Sequence, residues 1–479
     1  MIKILLKIAI TIAFFSCNNQ KQKQSAEANP NIILIMTDDQ GWAQTSYNNH
    51  PVLKTPNLDS MAANGLRFDR FYAAGPVCSP TRASVLTGRT HDRTGVFTHG
   101  FALRRQEKTL SKALNNAGYA TGHFGKWHLN GLRGPGVPIF ADDIYNPGAF
   151  GFEDWVSVTN FFDIDPLMSD NGDFKQFNGT TSEIIASQAI EFIEKSKADQ
   201  KPFFAVIWDG SPHRPMIATE EDKAPYNHLN EKSANQLGEI VAFDRSVGMI
   251  REKLRQLNIA SNTIIWFCSD NGGLHDIEPS TVGNLRGFKG SLYEGGIRVP
   301  AIIEWPAKVK PAITKYPAST MDIFPTIANI IQLPDTVMLQ PQDGQSLVKL
   351  WQDEDIAERD KPIPFRYRNG GALVNNNFKI FTENRDSGIY QLYKLSSDPL
   401  ESTNVAEQYP EMYESMISTY EKWDQTVNNS IKGLDYPEGI VTDSSRDHTW
   451  MKDPRYQPYL DEWAKRWEYK ERIERSRRQ

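Results

Sequence analysis

Residues 31–36 read NIILIM and residues 37–41 read TDDQG, so an unbroken apolar run ends abruptly in two carboxylates. Pro30 precedes this run, and Asp38 follows it closely. An apolar run bounded in this way is typical of a strand buried on both faces, as in a parallel sheet. Similar runs occur at Phe203–Trp208, Thr263–Cys268 and Val299–Glu304. The sequence therefore predicts a large, mostly parallel sheet.

Helical patterns alternate with these apolar runs. The clearest are Thr109–Ala117, Ser182–Lys197 and Leu237–Leu257. Alternation of strands and helices is typical of a doubly wound α/β fold, in which helices flank both faces of the sheet. We predict that residues 31–360 form one large α/β domain of this kind.

The chain changes character near residue 361. Short runs split by Asn, Asp and Gly predict a small antiparallel sheet, with the helix Pro410–Asn428 packed on it. Residues 361–430 are therefore predicted to be a smaller α+β subdomain. We interpret residues 431–479 as an arm wrapped on the main body, and a sugar-stacking role stays open for its aromatic side chains. These side chains are Trp450, Tyr456, Tyr459, Trp463 and Trp467.

The first residues have the pattern of an export signal. Two lysines precede the apolar run Ile8–Phe15, which is too short to cross a bilayer that needs ~20 residues. Residues 1–16 are therefore predicted to be a signal peptide. Cys17 follows a small residue, as in a bacterial lipobox, so we expect it to be lipidated, with ordinary secretion as the alternative. Residues 17–30 are polar and are predicted to be a flexible tether.

Export sets the expected location and partners. We expect the protein in the bacterial periplasm, or as a lipoprotein of the outer membrane or cell surface. The only membrane contact that we expect is through the lipid at Cys17. A net charge of −6 gives no basis for nucleic-acid binding, and three cysteines cannot form a disulfide scaffold. The content of 39% hydrophobic and 23% charged residues supports a large core and excludes a disordered chain.

Carboxylates follow two of the predicted strands. Asp38 and Asp39 follow the first, and Asp270 and Asn271 follow the run that ends at Cys268. Ligands bind at the carboxyl ends of parallel strands, and adjacent carboxylates repel one another unless a cation or proton lies between them. Oxygen ligands of this kind suit calcium or magnesium, whereas no His/Cys spacing supports zinc.

Another motif lies in the chain between these two groups of metal-ligand candidates. It covers residues 77–89, which read VCSPTRASVLTGR. Ser79 and Pro80 suit the cap and the first position of a helix, which places Cys78 at a helix N-terminus that favours anions. Arg82 lies one turn further along the same face. A helix N-terminus lowers the pKa of a thiol, so Cys78 is expected to be an activated nucleophile.

This element resembles the sulfatase signature, Cys-x-Pro-x-Arg followed by Ala-Ser-x-Leu-Thr-Gly-Arg. Segments similar to other motifs of the family follow in order: GKWHL at 125–129, SPHRP at 211–215, SDNG at 269–272 and KGSLYEGGIRVP at 289–300. The resemblance covers about residues 31–428. It implies an alkaline-phosphatase-like fold and a sulfuric ester hydrolase.

The resemblance also implies a modification, a metal and a set of roles. In this family a maturation enzyme converts the cysteine to Cα-formylglycine, so Cys78 would act as an aldehyde hydrate. One calcium ion is implied, with magnesium as the second choice. Its ligands would be Asp38, Asp39, Asp270, Asn271 and the modified Cys78. The implied sulfate-binding cations are Arg82, Lys126 and Lys289, and the implied proton-handling and sulfate-contacting histidines are His128 and His213.

The implied mechanism has two steps. One hydroxyl of the hydrate attacks sulfur with help from Asp270, and His213 or Lys289 protonates the alcohol that leaves. The second hydroxyl, deprotonated with help from His128, then collapses to expel sulfate and restore the aldehyde. Positive groups offset the charge that develops. A further sulfate-contacting side chain is expected within Ser157–Phe162.

The expected substrates are sulfated polysaccharides or their oligosaccharides: algal galactans, fucans, ulvans or glycosaminoglycans. Four residues near the motif loops could contact neighbouring sugars or could be ordinary surface charges: Arg104, Arg105, His275 and Arg286. Two other classes stay open, namely a phosphoester or phosphonate hydrolase of the same superfamily and a non-catalytic glycan-binding lipoprotein.

Overall fold

The computed structural model describes residues 29–352, 356, 358–443 and 446–478. The predicted signal peptide, Cys17 and nearly all of the predicted tether lie outside the described residues.

Strands and helices alternate through the first three quarters of the described chain, and short strands follow. The strands are β1 Asn31–Thr37, β2 Leu66–Tyr72, β3 Ala120–Lys126, β4 Leu132–Arg133, β5 Asp154–Val158, β6 Leu167–Asp170, β7 Asp173–Gln176, β8 Phe203–Trp208, β9 Thr263–Ser269, β10 Arg298–Glu304, β11 Ala312–Thr314, β12 Ala318–Ser319, β13 Ile363–Tyr367, β14 Gly370–Asn375, β15 Phe378–Thr382, β16 Gln391–Lys394 and β17 His448–Thr449. The α-helices are α1 Pro56–Asn64, α2 Cys78–Thr87, α3 Leu110–Asn116, α4 Thr181–Ala198, α5 Glu220–Lys223, α6 Glu231–Gln256, α7 Glu294–Ile297, α8 Ile323–Ile330, α9 Lys349–Gln352, α10 Pro410–Ile431, α11 Leu460–Trp463 and α12 Trp467–Arg477.

The main sheet has eleven strands in the order β11-β2-β10-β9-β1-β8-β3-β5-β6-β7, with β12 also paired to β2. Its centre is parallel: β1 lies between β8 and β9, and β3 continues the same direction between β8 and β5. The predicted large and mostly parallel sheet, with helices on its faces, is confirmed.

One strand direction differs from the prediction. The run at Val299–Glu304 lies in β10, which is antiparallel to both β9 and β2. The loop after β9 and the short helix α7 stay at the carboxyl edge of β9, so the chain re-enters the sheet from that edge and runs backwards. Complete burial gives a central antiparallel strand the same apolar composition as a parallel one.

Burial on both faces explains the composition of β1. Ile33 and Ile35 face a core shared with helices α1, α4 and α6. Ile32 and Leu34 face the opposite core, shared with α2, α3 and α8. Because successive side chains of a strand point to opposite faces, a strand covered on both sides needs consecutive apolar residues, as at positions 32–36.

The strand register brings the functional motifs together. Met36 lies opposite Trp208 of β8 and Cys268 of β9. Gly125 of β3 lies opposite Trp208 from the other side. The segments that follow β1, β3, β8 and β9 therefore leave the sheet at one edge, where their polar side chains meet.

The C-terminal part adds a second sheet and an arm. Strands β13–β16 form an antiparallel sheet on which α10 packs. The arm then returns to the main domain, where β17 pairs with β4. Trp450, Tyr456 and Trp463 pack with Leu132 and Val137 in one buried cluster.

Among the residues that the structure describes, no helix is both long enough and apolar enough to span a membrane.

Candidate active site

Three carboxylates meet at the carboxyl edge of the main sheet. Asp38, Asp39 and Asp270 are at most 1% exposed, and one oxygen from each lies within 4.8 Å of the others. Backbone contacts fix this arrangement: the Asp38 amide donates to the Ser211 carbonyl (3.0 Å), and the Asp270 amide donates to the Thr37 carbonyl (3.1 Å). Buried carboxylates this close repel one another strongly unless a cation lies between them.

The oxygen atoms of this cluster fit a hard cation. Asp38 Oδ1 and Asn271 Oδ1 are buried and have no hydrogen-bond partner in the structure. The Asn271 amide nitrogen donates to Asp39 Oδ1 (2.8 Å), which leaves the amide oxygen available. Buried polar atoms are nearly always paired, so two orphaned oxygens beside three carboxylates indicate a site for a divalent cation.

The pKa directions agree with that charge distribution. Burial and the nearby Asp38 raise the pKa of Asp270 to about 7. Burial also acts to raise the pKa of Asp38, but the surrounding cations, led by Lys126, hold it well below its usual range. The surrounding cations therefore keep Asp38 ionised, whereas the charge of Asp38 disfavours ionisation of the neighbouring Asp270.

Cys78 is the first residue of α2, and its side chain is buried at this same edge. Its sulfur forms a second candidate ligand group with Asp38 and His213, within 4.8 Å of one another. The ammonium of Lys289 lies 4.0 Å from the sulfur. Position 78 therefore lies between the carboxylate cluster and the cations.

Two expectations about this helix are wrong. The helix begins at Cys78 with Val77 as its cap, and the Ser79 hydroxyl instead donates to the carbonyl of His128 (2.8 Å). The pKa of the Cys78 thiol is raised to about 11 rather than lowered, because burial outweighs the neighbouring Lys126 and Lys289. An unmodified thiol here is protonated at neutral pH and is a weak nucleophile.

Three cations surround the carboxylates. Arg82 donates from Nη2 (2.7 Å) and Nε (3.2 Å) to Asp270 Oδ2, and its guanidinium lies 5.1 Å from the ring centre of Trp208. Lys126 is ion-paired with Asp38. The sequence predicted these cations as sulfate ligands, and the structure places each of them against a carboxylate of the cluster.

Lys289 is held by a separate set of contacts. Its ammonium lies 2.7 Å from Asp39 Oδ2, and neighbouring anions led by Asp39 overcome the effect of burial and raise its pKa. Its loop leads into α7, where Glu294 contacts the buried ammonium of Lys379 at 3.1 Å. Since Lys379 belongs to β15, the small sheet helps to fix the loop that carries Lys289.

The two predicted histidines both lie in the site. His213 donates from Nδ1 to the Arg214 carbonyl (2.6 Å), which leaves Nε2 free to accept, 3.8 Å from Asp39 Oδ2. Burial lowers the pKa of His213 to about 4. His128 is 3% exposed with both ring nitrogens orphaned, and burial holds its pKa well below its usual value. Both imidazoles are therefore neutral at pH 7.

The structure adds three residues that the sequence did not single out. The ring of Phe161 stacks on His213 at 4.9 Å, and Trp208 lies under Arg82. His99 lies close enough to Lys289 and Lys126 for their charges to lower its pKa, after the larger effect of burial. Phe161 is inside the segment predicted to reach the site, whereas no local pattern marks His99.

The four candidate sugar-contacting residues do not form one group. Arg104 is largely buried, and its guanidinium donates to the carbonyls of Arg93, Ser430 and Ile431, so it joins α10 to the main domain. Arg286 stacks on Tyr293 at 4.0 Å. Arg105 and His275 are exposed.

Comparison with known proteins identifies the family. A family model described as Sulfatase matches residues 30–333. The N-acetylgalactosamine-6-sulfatase of Canis lupus familiaris is 31% identical over 382 residues, which cover 72% of this chain and 69% of the relative. The ulvan-active sulfatase of Formosa agariphila is 28% identical over 382 residues, which cover 73% of this chain and 71% of the relative. The chain belongs to the sulfatase family and is a sulfuric ester hydrolase.

A solved structure agrees with the fold. The crystal structure of Ps i-CgsB in complex with k-i-k-neocarrahexaose aligns with a TM-score of 0.74 at 27% identity, covering 82% of this chain and 92% of that one. The resemblance of residues 78–89 and the later motifs to the sulfatase family predicted a sulfuric ester hydrolase. That prediction is confirmed.

Proposed function

We propose that this enzyme is an exported sulfatase that removes sulfate from sulfated carbohydrates, with formylglycine at position 78 and one calcium ion. The observation that carries the proposal is the position of Cys78, enclosed by Asp38, His213 and Lys289. A buried thiol with a raised pKa is poorly suited to attack an anionic ester. Conversion to formylglycine would supply a hydrated aldehyde as the nucleophile at the same place.

The metal would be held by Asp38, Asp39, Asp270 and Asn271, together with the modified residue at position 78. Calcium accepts carboxylate and amide oxygens in irregular geometry, which suits the orphaned oxygens of Asp38 and Asn271. A bound divalent cation would supply positive charge to a sulfate oxygen.

The cations of the chain would bind the sulfate ester. Arg82, Lys126 and Lys289 converge on this edge and would share their charge between the carboxylates and the sulfate oxygens. Such positioned cations stabilise a transition state in which negative charge moves toward the leaving oxygen.

The structure favours one of the two proton donors that the sequence left open. Lys289 keeps its proton because of Asp39, whereas His213 is neutral and presents a lone pair at Nε2. We therefore assign protonation of the leaving alcohol to Lys289. Nε2 of His213 would accept a hydrogen bond from the nucleophile or the substrate, and His128 would accept the proton of the second hydroxyl.

The relatives point to a carbohydrate substrate. The names of two of them specify N-acetylgalactosamine 6-sulfate and ulvan, and a solved neighbour binds a neocarrahexaose. We propose a sulfated polysaccharide or oligosaccharide as the substrate, a formylglycine-generating enzyme as the maturation partner and, at Cys17, a lipid anchor in the periplasm or at the cell surface.

The decisive experiment is peptide mass spectrometry of the Cys78 segment, combined with turnover of 4-nitrophenyl sulfate and 4-nitrophenyl phosphate. We expect an aldehyde in place of the thiol in protein produced with a maturation enzyme, and we expect sulfate to be hydrolysed faster. Cys78→Ala should abolish turnover. Cys268→Ala, which changes the other buried cysteine among the described residues, is the matched control and should retain turnover. An unmodified but fully active enzyme, or a preference for phosphate, would contradict the proposal.

A further inference from the structure

A cavity of about 1000 Å³ lies beside the catalytic edge of the sheet. His213 and Phe161 line one part of it, next to the carboxylate cluster. Trp467 and Arg472 of α12 line another part. The volume is at the upper end of the range of ligand pockets, so a ligand at the catalytic edge would fill only part of it. The remaining space is bounded by the C-terminal arm.

Trp467 differs from the other aromatic residues of the arm. Trp450, Tyr456 and Trp463 are at most 2% exposed and belong to the buried cluster that joins the arm to the main domain. Trp467 is 49% exposed and lines the cavity. A large aromatic residue that is half exposed and lines a cavity is available to a ligand.

The segment that carries Trp467 is fixed in position. The guanidinium of Arg466 donates to the Asp165 carbonyl (2.8 Å), and the Tyr469 hydroxyl donates to the Gly136 carbonyl (2.7 Å). Ile473, one turn further along α12, is buried in the same cluster. Because the side chains of Arg466 and Tyr469, on either side of Trp467, are held in this way, the indole can bind a ligand with little further loss of conformational freedom.

The charges around the cavity indicate an anionic ligand. Arg214 and Lys232 line it and share one partner, Asp276, so this group carries a net positive charge. Arg472 adds a third cation. The lining acids are Glu231, Glu468 and Glu471. Glu468 is paired with Arg466 and Glu471 with Arg475, so two of these three negative charges are already offset.

We propose that this cavity is a binding subsite for the sugar unit next to the one that loses its sulfate, with the indole of Trp467 as its stacking surface. The occupant is an anionic pyranose of the same glycan chain, whose apolar face lies on Trp467 and whose sulfate or carboxylate contacts Arg214 and Lys232. The inference rests on the proposed carbohydrate substrate. It makes the arm part of substrate recognition and makes an oligosaccharide a better substrate than a single sugar.

The test compares kcat/KM for a sulfated tetrasaccharide with kcat/KM for 4-methylumbelliferyl sulfate. The tetrasaccharides are prepared from chondroitin 6-sulfate, ulvan and carrageenan, and the one that the wild type desulfates fastest is used. In Trp467→Ala we expect the ratio of the two values to fall about tenfold, because the small ester does not reach the arm. Trp467→Phe, which keeps a flat ring, should recover most of the ratio.

Leu434→Ala is the matched control, since Leu434 is another exposed apolar residue of the arm, 60% exposed and outside the lining of the cavity. It should leave the ratio unchanged. Equal melting temperatures of the variants would exclude loss of folding. An unchanged ratio in Trp467→Ala would overturn the subsite.

A binding measurement separates this inference from the proposed function. Calorimetric titration of the three tetrasaccharides into Cys78→Ser and into Cys78→Ser with Trp467→Ala reports on the cavity without turnover. We expect the tightest of the three to bind about tenfold more weakly to the double variant. Equal affinities, or no binding to either protein, would overturn the subsite. A wild type that cleaves no sulfate ester would instead contradict the proposed function.

Discussion

At the scale of single residues, the site depends on guanidinium geometry that another cation cannot reproduce. Arg82 is fully buried, contacts Asp270 through two nitrogens and lies over the ring of Trp208. A lysine offers a point charge on a flexible stem, so it cannot keep both contacts to Asp270 and the position over the indole.

We therefore expect Arg82→Lys to lower kcat about 100-fold on an aryl sulfate, because the cation no longer holds its place beside the developing charge. The measurement is steady-state turnover of 4-nitrophenyl sulfate. The matched control is Arg105→Lys, an exposed arginine, whose kcat should equal that of the wild type. A fully active Arg82→Lys variant would show that the guanidinium is not needed.

A second group of residues links stability to pH. Asp163, Asp209 and Glu239 are buried, and each has an oxygen without a hydrogen-bond partner. Burial is the main reason that all three pKa values are raised, and the mutual repulsion of these carboxylates adds to the shift of Asp163 and Glu239. The folded protein therefore binds more protons than the unfolded chain, and stability falls as the pH rises through these raised pKa values.

Glu239→Gln should reduce the loss of stability at high pH, since a glutamine side chain cannot ionise. Its oxygen can still accept a hydrogen bond from the backbone N–H of Ile217, as the Glu239 carboxylate does. We expect the variant to have a higher melting temperature than the wild type at about pH 8 and a smaller gain at about pH 5. Thermal unfolding monitored by circular dichroism is the measurement. Glu407→Gln, on the surface, should show no such difference, and a gain independent of pH would refute the assignment.

At the scale of elements, the arm is anchored by a tryptophan that fits against a glycine. Trp450 is fully buried, and its indole donates to the Pro135 carbonyl (3.0 Å). Gly134 has a φ of +119°, and a Cβ there would lie 2.7 Å from the indole nitrogen of Trp450. Only glycine combines a positive φ with the absence of a Cβ, so the loop after β4 can pack closely against the arm.

Trp450→Ala should destabilise the protein by about 3–5 kcal/mol, the range for removing a buried tryptophan from a packed core. Chemical denaturation would measure it. The comparison variant is Trp467→Ala, which removes the same side-chain type from an exposed position and should change the free energy of unfolding by less than about 1 kcal/mol. Equal losses in the two variants would contradict the assigned burial.

The elements also show what the sequence could and could not predict. Apolar runs followed by Asp38 and Asp270 predicted the strands and their shared edge, because a strand buried on both faces consists of consecutive apolar residues. The direction of β10 was not predictable, since burial marks a strand but not its orientation. The raised pKa of Cys78 was also missed, because the depth of its burial depends on the packing of distant segments.

At the scale of the whole molecule, the metal site would join the ends of β1 and β9, which are separated by more than 200 residues in the chain but adjacent in the sheet. A cation bound there would stabilise the folded state alone, because the unfolded chain does not bring these carboxylates together. Binding at 100 times the dissociation constant contributes about 2.7 kcal/mol.

We expect added calcium to raise the melting temperature of protein that has been treated with a chelator, and Asp39→Asn to lose most of that increase. Differential scanning fluorimetry with and without calcium is sufficient. Asp386→Asn, which changes an exposed carboxylate, should keep the full increase. A wild type that is insensitive to calcium would count against a calcium site.

The burial of position 78 also bears on the order in which folding and the proposed modification of Cys78 would occur. Its side chain is 2% exposed, at an edge built from β1, β3, β8 and β9 and closed by the loop that carries Lys289. A maturation enzyme is itself a protein and cannot reach a side chain enclosed in this way. Conversion of Cys78 would therefore have to precede completion of the fold, and the time that the chain spends unfolded would limit how much of the enzyme becomes active.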